Sequence, residues 1–181
     1  MNINQLIAPE RVRCLSGISS KKRTLESLSH LLGSGATGID PTEIFHQLIE
    51  RERLGSTGLG RGVALPHARL SAHQEHHENN PDITSDASPE KNTPGDSKVT
   101  LGSFIKLDQG IDFDSTDRQP TDLLFGLLVP EEYTDEHLQV LAALATMFSD
   151  SRFCEQLRHC KTDDALYTQL TQWVQTHEKP S

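Results

Sequence analysis

The residues richest in potential chemistry lie in one stretch, RERLGSTGLGRGVALPHARL, at positions 51–70. Arg51 opens it, the hydroxyls of Ser56 and Thr57 follow, Gly55, Gly58, Gly60 and Gly62 are interspersed, and His67 comes directly after a proline. Glycines let backbone amides approach a ligand or adopt positive φ, and hydroxyls donate hydrogen bonds, a combination suited to holding phosphoryl oxygens. A histidine with a pKa near ~6.5 is largely neutral at physiological pH, so a ring nitrogen can attack phosphorus without a separate base. Phosphoryl transfer depends chiefly on positioning and charge stabilisation, which a loop of amides beside a guanidinium can supply. A nucleotide phosphate loop is excluded, because Walker spacing and the Lys-Ser/Thr pair are missing and the glycines precede a strand instead of opening a helix. Residue types alone leave two readings open for His67, a phosphoryl acceptor or a hydrogen-bonded structural histidine. They leave two for Ser56 and Thr57 as well, donors to phosphate or hydroxyls that satisfy the turn's own backbone. Arg51 is either a phosphate-facing cation or a helix-end arginine pairing with a carboxylate.

These side chains need elements to hold them. Asp40-Pro41-Thr42-Glu43 supplies an N-cap, a proline at the first helical position and a capping-box glutamate, with Ile44, Phe45, Leu48 and Ile49 on one face, which predicts a helix over 41–53. Leu25, Leu28, Leu31 and Leu32 follow Ser19 and Ser20 at helical spacing, with Gly33 as the expected stop. Thr134 can cap a third helix with an apolar stripe of Leu138, Leu141, Ala142, Ala145 and Phe148, and Thr162 precedes Leu166, Leu170, Trp173 and Val174 in a last one. Short apolar runs at 63–65, 99–107 and 123–129 read as strands. The third, LLFGLLV, has no polar alternation, as expected of a central strand covered on both faces. The glycine segment is expected to enter a strand ending at Pro66-His67, which would project the imidazole from the sheet edge. Mixed helices and strands imply an α/β layered domain.

The chain has 181 residues, which favours one domain over 1–181. Apolar residues make up only 34%. The deficit sits in SAHQEHHENNPDITSDASPEKNTPGDSK, residues 71–98, where Ile83 is the only large apolar side chain; such a segment cannot offset its backbone entropy and is expected to be a disordered loop. Seventeen Lys and Arg against 26 Asp and Glu leave a net charge of -9, which argues against nucleic acid and anionic lipid as partners. No run of apolar residues is long enough to insert in a membrane and the N-terminus lacks a signal peptide's pattern, so a cytoplasmic location is expected. Three widely spaced cysteines imply neither a disulfide framework nor a zinc site. His73, His76 and His77 invite a metal reading, but a polar loop without second-shell support favours none.

The 51–70 stretch closely resembles the active-site signature of the fructose/mannitol-type enzyme IIA family of the bacterial phosphoenolpyruvate phosphotransferase system, within it the nitrogen-regulatory branch. The likeness extends over IDFDSTDRQPTDLLFGLLVP at 111–130 and DEHLQVLAALATMF at 135–148. The resemblance implies a single mixed β-sheet flanked by helices on both faces, no cofactor, and a phosphotransferase that takes a phosphoryl group on His67 from an HPr-like (NPr) carrier. It implies that His137 contacts and stabilises the phosphorylated form, that Arg51 assists, and that Ser56, Thr57 and Gly58 belong to a phosphate-binding loop. It further implies a regulator that signals nitrogen, carbon or potassium status, with transporter or sensor-kinase components as partners. The alternatives are a sugar-uptake IIA that passes phosphate to a IIB domain, and a non-catalytic interaction module. The chain departs from the family at Ala68, where glycine is common, and in an insertion of some 24 residues after Leu70. Being acidic, that insertion either biases the approach of a charged carrier or is a tolerated loop expansion.

Overall fold

The computed structural model describes residues 3–35, 39–70, 100–130 and 134–177. The loop expected at 71–98, the insertion and the histidine cluster of 73–77 lie outside them.

A six-stranded mixed sheet organises the protein, with β1 (Val12–Leu15), β2 (Gly58–Gly60), β3 (Val63–Ala64), β4 (His67–Leu70), β5 (Leu101–Ile111) and β6 (Thr121–Pro130). The order is β1-β5-β6-β3-β2, and β4 also pairs with β6. β5 and β6 are antiparallel, β1 runs parallel to β5, and β3 and β4 both run parallel to β6. β6 is the spine, and its lack of polar alternation has the expected cause. Leu123, Phe125, Leu127 and Val129 join one apolar cluster, while Leu124 and Leu128 join another on the opposite face. Alternate side chains of one strand therefore enter two different cores.

One core lies under α1 (Lys21–Gly35) and α2 (Pro41–Arg53), which contribute Leu25, Leu28, Leu32, Ile44 and Leu48. The other lies under α3 (Thr134–Ser149), α4 (Ser151–His159) and α5 (Asp163–His177), with Val140, Leu144, Phe153, Leu157, Leu166 and Leu170. Helices thus cover both faces of one mixed sheet, as the resemblance implies. The α2 bounds match those read from the capping signals, and the Asp40 carboxylate accepts from the Thr42 amide at 2.8 Å. Thr162 likewise accepts from the Ala165 amide ahead of α5.

Three sequence expectations are corrected. Gly33 does not stop α1. It lies inside the helix, where a Cβ would sit 2.8 Å from Pro41 Cγ, so the glycine serves the close approach of α2. The stripe of α3 is rotated from the expected one: Val140, Leu144, Met147 and Phe148 are buried while Leu138 and Ala142 face solvent. That rotation carries His137, three residues before Val140, onto the buried face. His67 begins β4 instead of ending a strand, since Pro66, with no N–H to give, interrupts the line between β3 and β4. No helix among the described residues is long and apolar enough to cross a membrane.

Candidate functional site

The outer strand β2 pairs with β3 only as far as Ala64, so the sheet loses its cover where β4 begins. Among the described residues β4 pairs with β6 alone, and its alternation turns Ala68 into the core beneath α1 and α2 while His67 and Arg69 take the face shared with Leu127 and Val129. That is the face covered by α3. His137, in the first turn of α3, brings its ring centroid to 5.2 Å from that of His67. Residues 70 positions apart in the chain meet at this corner, and Arg51, in the last turn of α2, reaches it from the other layer.

The hydrogen bonds settle the state of His67. Arg51 Nε lies 2.9 Å from His67 Nε2, and a guanidinium can only donate, so Nε2 carries the lone pair. Nδ1, 2.8 Å from the Leu65 carbonyl oxygen, therefore carries the proton. The imidazole is neutral, half-buried and presents an unprotonated Nε2. Burial lowers its pKa below the usual histidine value; the Leu65 bond and Glu52 oppose this, and Arg51 and Arg69 reinforce it. Arg51 Nη1 also donates to Gly55 O at 3.0 Å, anchoring the guanidinium across the loop entrance.

His137 is more enclosed, at 4% exposure. Burial, followed by electrostatic coupling to the His67 ring and the cations Arg69 and Arg51, lowers its pKa to about 4, so it too is neutral. Its Nδ1 is buried without a hydrogen-bond partner among the described residues. Such a group costs about 1–3 kcal/mol for as long as it stays unmet.

The glycine segment behaves differently. Ser56 donates its hydroxyl to the Phe113 carbonyl at 2.7 Å and accepts from the Gly58 amide at 3.1 Å. Thr57 is buried, and both its hydroxyl and its amide donate to the Glu52 carboxylate, the former at 2.6 Å. Glu52 is itself paired with Lys21 at 2.8 Å. The two hydroxyls and the Gly58 amide, expected to face phosphate, are thus engaged within the protein. Two of the glycines serve close packing: a Cβ on Gly58 would lie 2.9 Å from Ser115 Cβ, and one on Gly62, at φ +80, 2.6 Å from Arg158 Nη2. Arg158 in turn grips Asp122 through two hydrogen bonds and the Arg61 carbonyl through a third. Sequence reasoning missed the Glu52 clamp, although a carboxylate five residues before a hydroxyl at a helix end was a readable signal. No group of three or more metal-ligating side chains forms among the described residues.

Comparison with known proteins shows the family. The profile of the family described as phosphoenolpyruvate-dependent sugar phosphotransferase system, EIIA 2, matches residues 5–84 and 90–173. The nitrogen regulatory protein of Pseudomonas aeruginosa is 36% identical over 167 residues, 92% of this chain and 93% of that protein. That of Escherichia coli K12 is 34% identical over 169 residues, 93% and 86% of the two chains. Among solved structures, nitrogen regulatory protein IIA-Ntr from Neisseria meningitidis superposes with a TM-score of 0.72 at 32% identity, covering 93% of this chain and 99% of that one. The mannitol IIA of Escherichia coli, at 19% identity and a TM-score of 0.63 over 91% of this chain and 98% of that one, shares the fold.

Proposed function

The chain belongs to the EIIA 2 family of the phosphoenolpyruvate-dependent sugar phosphotransferase system, and from that premise we propose that it is a regulatory phosphocarrier, a phosphotransferase whose acceptor is His67. The observation that carries the assignment of His67 is its tautomer: Nε2 is unprotonated, held by Arg51, with Nδ1–H fixed on Leu65 O.

In the proposed step Nε2 attacks the phosphorus of a phosphohistidine on an HPr-like (NPr) carrier. The Nε2–P bond forms as the donor's N–P bond breaks. The donor ring, protonated on its other nitrogen, leaves as neutral imidazole with the electron pair of that bond, and His67 keeps its Nδ1 proton on Leu65 O. Neither ring has to exchange a proton with solvent, and the step is reversible. Arg51 turns from the nitrogen lone pair to the arriving oxygens. His137 meets the same oxygens from a helix start, where unpaired amides and the dipole favour an anion, and its unmet Nδ1 gains a partner. Ser56, Thr57 and Gly58 brace the loop under Arg51, through Phe113 and Glu52, without touching the phosphoryl group.

Phosphorylation adds about -1.5 to -2 charges to this corner, enough to change which partner surface it accepts. The names of the relatives at 34–36% identity support a nitrogen-linked regulatory output. In the proposed reading that output is exercised on a transporter or sensor kinase in the cytoplasm, with residues 1–181 acting as one domain. Incubation with phosphoenolpyruvate, the first general enzyme and an HPr-type carrier, followed by intact mass, tests the assignment. The wild type should gain one phosphoryl group and His67→Ala none; label on His67→Ala would overturn it. Onward passage of the label to a fructose- or mannitol-type IIB domain would place the chain in sugar uptake instead.

A further inference from the structure

Arg69 follows His67 by two residues on β4, so their Cα atoms lie about 6–7 Å apart with both side chains on one face, while Ala68 between them is buried on the other. It is exposed, and among the described residues it makes no hydrogen bond or ion pair. Arg51, by contrast, has Nε spent on His67 and Nη1 on Gly55. The charge of Arg69 is felt by both imidazoles, which places its guanidinium within electrostatic reach of the two rings together. The opposite side of β4 makes no strand pairing among the described residues, so the side chain is not screened by a neighbouring strand.

We infer that Arg69 is a second phosphoryl-binding cation of this site, closing on the oxygens of the group carried by His67 Nε2 from the sheet face the two residues share. The inference rests on the assignment of His67 as the phosphoryl acceptor. A planar guanidinium offers two parallel N–H donors to two phosphoryl oxygens, and Arg69 has no contact among the described residues that it would have to give up first. Transfer through a loose transition state spreads charge over the three equatorial oxygens, which Arg51, His137 and Arg69 would then share. In a protein of net charge -9, an exposed arginine beside the acceptor also offsets the repulsion a dianion would otherwise meet.

The test uses the full chain with two donors, the HPr-type carrier charged from phosphoenolpyruvate and, separately, phosphoramidate, a small donor that needs no docking surface. Intact-mass time courses should show Arg69→Gln labelled about tenfold more slowly by both donors and Arg69→Lys keeping most of the rate. NMR titration of the same variants should find both imidazoles of Arg69→Gln protonating at higher pH than in the wild type, a change that a merely structural arginine would not cause. Rates within twofold of wild type for Arg69→Gln with both donors would overturn the inference. So would slowing confined to the carrier protein, which would make Arg69 a docking residue. A wild type that takes no label from either donor, or a labelled His67→Ala, would instead bring down the assignment of His67 and this inference with it.

Discussion

The glycine turn between β2 and β3 and the histidine corner at the start of β4 lie a few residues apart in the chain and differ in how their polar groups are met. At the turn, Arg158 holds Asp122 and the Arg61 carbonyl and Asp117 takes the Arg61 amide, while just ahead of β2 Ser56 holds Phe113 and Thr57 is bound to Glu52. Among the described residues of the corner, His137 Nδ1 is buried and unmet, His67 Nε2 has only a guanidinium that can swing away, and Arg69 is unengaged. Glycine content suggests the turn as the anion cradle. Hydrogen-bond accounting points to the corner, because groups left unsatisfied in the free protein are those a ligand can reward.

This contrast is open to test at four points. Gly62→Val forces a branched side chain onto φ +80 and into Arg158 and Asp122, and urea unfolding should show a loss of roughly 3 kcal/mol. A loss below about 1 kcal/mol would mean the turn is less tightly built than its contacts imply. His137→Ala should still accept phosphate, but with transfer slowed or the phosphorylated form shortened in lifetime by about 10- to 100-fold, corresponding to the roughly 1–3 kcal/mol of one charge-assisted hydrogen bond. Equal kinetics would remove His137 from the site. Ser56→Ala should cost about 1 kcal/mol of stability and change the transfer rate less than about threefold. A drop in rate of about tenfold without loss of stability would return the hydroxyl to the phosphate.

The fourth concerns pH. His137 titrates at about 4 when folded and near ~6.5 when unfolded, so between those values the unfolded chain binds more protons. Stability contributed by keeping this ring neutral is intact above about pH 6.5 and declines as pH falls towards 4; the lowered pKa of His67 acts in the same direction. His137→Asn, which does not titrate, should flatten that decline. An unchanged slope would show that the ring is not held in the enclosed position described.

Much of this architecture was legible because its signals are local. The Asp40 cap and Pro41 fix the start of α2, and the unbroken apolar run of β6 could only belong to a strand buried on both faces. β2 and β4 were not, since a strand of Gly58–Gly60 and one opening at a histidine after Pro66 have little β propensity; pairing with β3 and β6 makes them strands. α4 offered only Phe153, Cys154 and Leu157 among charged neighbours, too few to mark its bounds without the Asp150 cap. The α3 stripe was misphased because hydrophobicity counts Leu138 as core and His137 as surface. The requirement to place an imidazole beside β4 reverses the two. Within the candidate site, residues 51–67 could be singled out from type and spacing. Their meeting with His137 came from family likeness, since no periodicity links positions 70 apart. That the hydroxyls turn inward depends on Glu52 and Phe113, contacts that only the folded chain creates.

The proton on His67 Nδ1 is held by a main-chain oxygen. Every amino acid provides one, so no substitution at position 65 that preserves the path of the chain can delete the acceptor. Aim and protonation of the His67 ring are in this sense written in the trace around Pro66, and under the proposed function evolution can exchange the surrounding cations to suit new partners while Nε2 stays ready.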